Sequence, residues 1–492
     1  MHIPDAAMTR LAQLALTYSF ERIHMDPPPL DGPRSYAQLW AEVGPTITED
    51  GLGADAAFRT YVNDLAPYCI SVDHPRHLSF VPAAPSEASV IFDMVVSASG
   101  VYGGSWLEAS GAVYAENQVL RWLADLAGFP VSAGGTFVTG GTAGNMSALI
   151  AARHRWRLRA AGRHDRTRGL MVASKGAHSS VAQAARAMDC DVLDIPVDID
   201  SDQHTQSSSY RVTGDKLRRV IDSLPHSERE RIFAIVATGG TTNLGVVDEL
   251  EAIGTVANEM GIWFHVDGAY GAAALCAPSA RHLFDGIERA DSFIVDPHKW
   301  LFAPYDSCAL VYRDIHDGRR AHTQHAEYLD VLHGDIRSDI HSGVHGDTHG
   351  DAHDDTHGDG AWLESNPADV AHHLSRRVRG LPLWFGLAVH GTRAYAEAVE
   401  ISLQVTRDCA REIRSRDYLE LLLEPQLSIL VFKRRGWTAE QYQRWSNEQL
   451  EAGKSFVTPT SHEGQPILRF CIVNPRTTID DLVMILESLR IS

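Results

Sequence analysis

Between about residues 96 and 315, short apolar runs alternate with stretches of helical periodicity, and nothing else in the 492 residues limits the fold so closely. The runs at 137–138, 169–173, 232–237, 262–266, 293–295 and 308–312 have strand length. Strands separated by helices pair in parallel, and the helices cover both faces of the sheet. An α/β domain with a mostly parallel sheet is therefore expected over residues 96–330. Before it, residues 1–95 read as a helical arm broken by Pro27-Pro28-Pro29 and by Pro75, Pro82 and Pro85. After it, residues 366–492 read as a connecting helix and a small α+β domain: helix 395–416, strand 427–432, a second helix, strand 467–473 and helix 479–489.

The segment 331–365 belongs to neither domain. His333, His341, His345, His349, His353 and His357 recur in a rhythm of His-Gly-Asp-Thr/Ala, and from 333 to 360 seven Asp stand against one Arg. With almost no apolar residues it cannot pack a core, and it reads as a mobile loop. His-rich tracts can bind metal, but no metal site is expected elsewhere: Cys69, Cys190, Cys276, Cys308, Cys409 and Cys471 form no CxxC pair. Scattered cysteines and the lack of a signal peptide point to the cytoplasm. The net charge of -19 disfavours nucleic acid and anionic membranes as partners. No apolar run approaches bilayer-spanning length.

Two of the apolar runs end in residues that carry chemistry. Ser292-Phe293-Ile294-Val295 leads into Asp296-Pro297-His298-Lys299-Trp300. A lysine at the end of a buried strand is kept partly dry, where its pKa falls and its amine becomes a nucleophile. Such an amine suits Schiff-base formation with a carbonyl, above all that of pyridoxal 5′-phosphate. Upstream, Trp263-Phe264-His265-Val266-Asp267-Gly268-Ala269-Tyr270 is an apolar run ending in a carboxylate followed by small residues. A pyridoxal ring needs a carboxylate at its pyridine nitrogen, and Gly268 and Ala269 let a ring approach the backbone. Thr139-Gly140-Gly141-Thr142-Ala143-Gly144-Asn145 follows a third run and opens a helix, whose unpaired N–H groups suit a phosphate.

Taken together, these motifs resemble the group II pyridoxal-phosphate decarboxylases, the family of aromatic-L-amino-acid, histidine and glutamate decarboxylases. The resemblance runs from about Asp73 to the C-terminus. It implies a large domain of the aspartate aminotransferase type (fold type I), with an N-terminal arm and a small C-terminal domain. It implies pyridoxal 5′-phosphate as cofactor, an L-amino acid as substrate, and a homodimer with shared active sites. Residue by residue, it implies that Gly141 and Thr142 hold the phosphate, that His178 stacks on the ring, and that Asp267 and Ala269 meet the ring. Thr242 is the matching hydroxyl of a turn near the cofactor, with Asp248 in the same turn. Asp296 and His298 precede the cofactor lysine, Lys299, and are counted with it as cofactor contacts, His298 bonding the phosphate or relaying a proton. Phe80 and Val81 line the substrate pocket, joined by Tyr102 and Gly103 from the partner; Gly103 and Gly104 leave room there for a bulky side chain.

The resemblance breaks at one point. A tyrosine on a mobile loop commonly protonates the substrate carbon in the family, yet residues 332–374 contain no tyrosine. His372, His373 or a loop histidine is the alternative acid. Otherwise slow protonation would let oxygen divert the reaction to an aldehyde. Other readings left open are a different pyridoxal-phosphate lyase, transamination using Arg469 for the substrate carboxylate, and metal binding by the His-rich segment. No arginine is placed by motif for a distal carboxylate, which disfavours glutamate.

Overall fold

A computed structural model describes residues 2, 5–159, 167–197, 210–324 and 364–490. The chain forms two compact units: Met1–Glu87 with Ser402–Leu423 and Ser428–Ser492, and Ala88–Ile401 with Glu424–Leu427. The first 87 residues thus group with the C-terminal domain, whereas the sequence reading treats the arm, the large domain, the His-rich segment and the C-terminal domain as four successive segments. The His-rich segment lies outside the described residues.

Among the described residues the larger unit has seven strands: β1 (Gly134–Val138), β2 (Leu170–Ser174), β3 (Asp191–Ile195), β4 (Ile232–Thr238), β5 (Trp263–Asp267), β6 (Ser292–Val295) and β7 (Cys308–Tyr312). They lie in the order β1-β7-β6-β5-β4-β2-β3. Only β7 runs against its neighbours, so the other six share one direction. Every residue of β1, β2, β4, β5, β6 and β7 is buried, as a sheet covered on both faces requires. β3 is the strand that the sequence reading missed. It is an edge strand, and Asp191 and Asp194 break its apolar run. The helix Gly141–Arg159 packs on the sheet through Ala148, Leu149 and Ala152, which meet Met171, Phe233 and Ile294 in one core cluster.

The smaller unit has a four-stranded antiparallel sheet of β8 (Leu419–Leu421), β9 (Ile429–Arg434), β10 (Thr460–His462) and β11 (Gln465–Cys471), in the order β10-β11-β9-β8. The helices Ala439–Glu451 and Ile479–Ser488 bury Tyr442 and Trp445, and Leu482, Ile485 and Leu486, in the same cluster as Phe432 and Phe470. Both helices open with a capping box, at Thr438 and at Thr478, which satisfies their first free N–H groups. By contrast, the helix Ala6–Ile23 buries none of its residues. Among the described residues no helix is long and apolar enough to cross a membrane.

Candidate active site

The shared direction of β1, β2, β4, β5 and β6 puts their carboxyl ends on one edge, where open α/β sheets bind ligands. β5 ends in Asp267, 6% exposed. Its Oδ2 accepts a hydrogen bond from Asn145 Nδ2 at 2.8 Å, and its Oδ1 accepts one from the Ala269 N–H at 3.2 Å. β6 is the adjacent parallel strand and ends at Val295. Asp296 then caps the single turn Pro297–Trp300, which carries Lys299. Pro297 suits that first position because it has no N–H to leave unpaired.

The glycine turn after β1 leans on the same group. A Cβ on Gly141 would stand 3.0 Å from Ala269 Cβ and 3.2 Å from Asp296 Oδ2, and one on Gly140 would stand 3.8 Å from His298 Cε1. Gly141 also begins the helix, so free backbone N–H groups lie at this point, and Thr142 beside it is exposed. The turn, the carboxylate and the lysine, drawn from three loops, therefore face one small region.

Lys299 Nζ lies 2.9 Å from Asp296 Oδ2. This corrects the expectation of a lowered lysine pKa. Burial does push the amine down, but the charge of Asp296, its hydrogen bond and the charge of Asp267 outweigh burial and hold it above its ordinary value. Burial pushes Asp296 up, and the charges of Lys299 and His298 outweigh that and bring it below the usual carboxylate range. His298 is lowered, chiefly by burial against the pull of Asp296. Its Nδ1 is held by the backbone of Ser307, 2.6 Å from the carbonyl oxygen and 3.1 Å from the nitrogen, and its Nε2 stands 3.7 Å from Asp296 Oδ2.

His178 follows β2. Its Nδ1 accepts the Ser180 N–H at 3.2 Å and so caps the helix Ser179–Ala187, while the ring stays exposed. Thr242 is exposed, and its turn is organised by neighbours instead. Thr241 Oγ1 accepts the Val246 N–H, and Asp248 accepts the N–H groups of Val212 and Thr238. Burial pushes Asp248 up to about 6 despite those two bonds, so it serves the turn as a buried brace.

The glycines at 103 and 104 do not leave the room expected of them. A Cβ on Gly103 would meet Val378 Cγ1 at 2.6 Å, and one on Gly104 would collide with the Tyr102 ring, so the chain's own side chains fill that space. Tyr102 OH donates to the Leu374 carbonyl at 3.1 Å, and the Gly103 N–H donates to the Arg376 carbonyl at 2.9 Å. In the smaller unit, Phe80 is 65% exposed with φ 55°, and Val81 is buried. The Phe80 carbonyl accepts from Arg469 Nη1 at 2.7 Å. His373 Nε2 is bonded to the Pro367 carbonyl at 3.1 Å, and burial lowers its pKa to about 4; His372 is exposed.

Sequence reasoning passed over Asn145, Ser180, His265 and Ser292, which stand behind Asp267 as a hydrogen-bonded group. The signal that could have found them was polarity out of place: an asparagine on an otherwise buried helix face, and a histidine inside a fully buried strand.

Residues 42–344 match the family model of the pyridoxal-dependent decarboxylase conserved domain. The chain belongs to the pyridoxal-dependent decarboxylase family. It is 28% identical over 426 residues to the aromatic-L-amino-acid decarboxylase of Bacillus atrophaeus, covering 85% of this chain and 81% of the relative. It is 24% identical over 472 residues to the L-2,4-diaminobutyrate decarboxylase of Acinetobacter baumannii, covering 91% and 86%. The structure of Oryza sativa TDC with PLP and tryptamine superposes with a TM-score of 0.83 at 21% identity, over 100% of this chain and 99% of that one. The fold is that of the type I pyridoxal-phosphate enzymes. The decarboxylase is a carboxy-lyase that acts on an amino acid with pyridoxal 5′-phosphate as cofactor. The residues present fit that group: a supported carboxylate, a lysine, and a bare helix start meet at one edge of the sheet.

Proposed function

We propose that this decarboxylase converts an aromatic or related L-amino acid to its amine, as a homodimer in the cytoplasm. One observation carries the reading. Asp267 closes one strand and Lys299 sits on the turn after its parallel neighbour, and the side-chain-free turn at Gly140 and Gly141 lies against residues between them in sequence. When bound, the cofactor supplies an aldehyde that condenses with amines and a ring that takes up electrons as the bond to the substrate carboxylate breaks.

The chain's own residues would hold and orient it. Gly141 and Thr142 would take the phosphate at the helix start. Asp267 would meet the ring nitrogen, with Ala269 beside it, and the exposed His178 would lie on the ring face. Lys299 would hold the aldehyde. Asp296 keeps a proton on the Lys299 amine through their 2.9 Å pair, which places an acid at this edge. His298, braced by Ser307, stands with its Nε2 3.7 Å from Asp296 Oδ2. Thr242 would close the site from the turn after β4, while Phe80, Val81, Tyr102 and Gly103 would be substrate contacts, the last two across the dimer.

An aromatic substrate is supported by the aromatic-L-amino-acid decarboxylase relative and by tryptamine in the Oryza sativa structure. A dimer is supported by apolar side chains that one chain leaves uncovered: Leu16 and Phe20, 62% and 65% exposed, and Tyr36 and Trp40 on the next helix. Six free cysteines support a reducing compartment.

A panel of L-amino acids given to the holoenzyme tests the reading. Carbon dioxide and amine in equal amounts, without oxygen uptake, support it. Aldehyde, ammonia and hydrogen peroxide, with one oxygen and one water consumed per carbon dioxide, would assign the oxidative route instead. No carbon dioxide from any aromatic amino acid would overturn the substrate assignment.

A further inference from the structure

We propose that Asn145 is a positioning residue that holds both Asp267 and His178 in place for the cofactor ring. The proposal rests on the assignment of those two side chains to the ring. Asn145 is 1% exposed, on the buried face of the helix that begins at Gly141. An amide in that position is costly unless it is fully bonded, and this one uses both its hydrogens and its oxygen. Nδ2 donates to Asp267 Oδ2 at 2.8 Å and to Ser180 Oγ at 2.8 Å, while Oδ1 lies 2.9 Å from His265 Nε2.

The direction of each bond follows from the chemistry of the partners. The Asp267 carboxylate accepts, so the amide must turn its NH2 toward it. The amide oxygen then faces His265, which must donate from Nε2. His265 Nδ1 is left to accept from Ser292 Oγ at 2.8 Å, and Ser292 Oγ in turn receives Trp263 Nε1–H at 3.0 Å. Burial lowers His265 to about 4, against the pull of Asp267, and so keeps the neutral ring that this sequence of bonds needs. On the other arm, Ser180 Oγ receives the second amide hydrogen and can give its own to His178 Nδ1 at 2.9 Å. His178 Nδ1 already accepts the Ser180 N–H, so its hydrogen sits on Nε2.

One side chain therefore holds the carboxylate of Asp267 and, through Ser180 Oγ, the tilt of the His178 ring, whose tautomer the Ser180 N–H sets. Asn145 also lies one helical turn after Gly141, so the start of the helix is registered to both. Three features from three loops are tied to each other by a residue that touches none of the reacting atoms.

The test titrates cofactor into the metal-free, cofactor-stripped full chain and records the visible circular dichroism of the bound form. Asn145→Ala leaves a buried carboxylate oxygen short of a donor, and cofactor affinity should fall about 10- to 100-fold. The visible signal should change while the stripped protein keeps its far-ultraviolet spectrum. Ser180→Ala cuts only the arm to His178, so it should change the visible signal with a smaller loss of affinity. Should Asn145→Ala fail to fold, Asn145→Ser tests the arm to Asp267 in its place, and Ser180→Ala still decides the arm to His178. Asp267→Ala is the control. If it loses the cofactor while Asn145→Ala binds within about twofold and with an unaltered signal, the positioning role is wrong. An unaltered signal in Ser180→Ala likewise overturns the arm to His178. If Asp267→Ala itself binds normally, the assignment of Asp267 to the ring fails instead.

Discussion

Arg376 and Glu116 form an ion pair with side chains 0% and 2% exposed, and its removal should loosen the segment around Tyr102. Glu116 accepts from Arg376 Nη1 at 2.8 Å, from Arg376 Nη2 at 2.7 Å and from the Gly380 N–H at 2.8 Å. Arg376 Nη1 also donates to the Gly103 carbonyl at 2.8 Å. In Arg376→Leu the carboxylate stays buried with one donor in place of three. Removing one partner of such a pair costs about 3–5 kcal/mol. That corresponds to roughly a 10²- to 10⁴-fold rise in the opening equilibrium. Hydrogen exchange read by mass spectrometry localises the effect, and the peptides covering 102–120 and 374–384 should lose protection by that factor. Replacing both partners, Glu116→Leu with Arg376→Leu, removes the uncompensated charge and should recover most of the loss, to within about 1–2 kcal/mol of the native protein. Protection unchanged in the single variant, or a double variant as poor as the sum of the singles, would refute the reasoning.

Borohydride treatment of the holoenzyme should tag the peptide containing Lys299, and Lys299→Ala should remove the tag and lower turnover by about 10³-fold or more; a tag elsewhere would reassign the lysine. Because the neighbouring carboxylates hold the Lys299 amine above its ordinary pKa, little of it is free at neutral pH. Cofactor capture by the stripped protein should then accelerate with rising pH, about tenfold per unit while the amine is mostly protonated. Asp296→Asn should raise the rate at pH 7 and move the rise to lower pH, and a flat native profile would contradict the ion pair. His373, lowered to about 4, is neutral at neutral pH, and its ring hydrogen on Nε2 is committed to the Pro367 carbonyl. His373→Gln should accordingly leave the ratio of amine to aldehyde unchanged, and a shift toward aldehyde would restore it as the acid.

Six of the seven strands in the larger sheet were legible as apolar runs, because a strand buried on both faces is apolar along most of its length. The local motifs were legible for a similar reason. A proline before His298 and glycines after β1 have uses at the ends of strands that few other residues can fill. What lay beyond the sequence was anything set by which strands are neighbours. Asn145 meets Asp267 across 122 positions, and Arg376 meets Glu116 across 260. Hydropathy has no means of pairing residues that far apart. The state of Lys299 was misjudged for the same cause: burial can be read from an apolar run, but the facing direction of the Asp296 side chain cannot. Gly103 and Gly104 make the point in reverse, since a missing side chain signals close approach without saying whether a ligand or Val378 comes close. The order of residues thus determined the α/β class, the buried strands and the local motifs, through propensities that act over a few positions, and left the short or polar strands β3, β8 and β10 unread. Strand order and register decided the partners, and with them the charges and hydrogen bonds from which the site's chemistry follows.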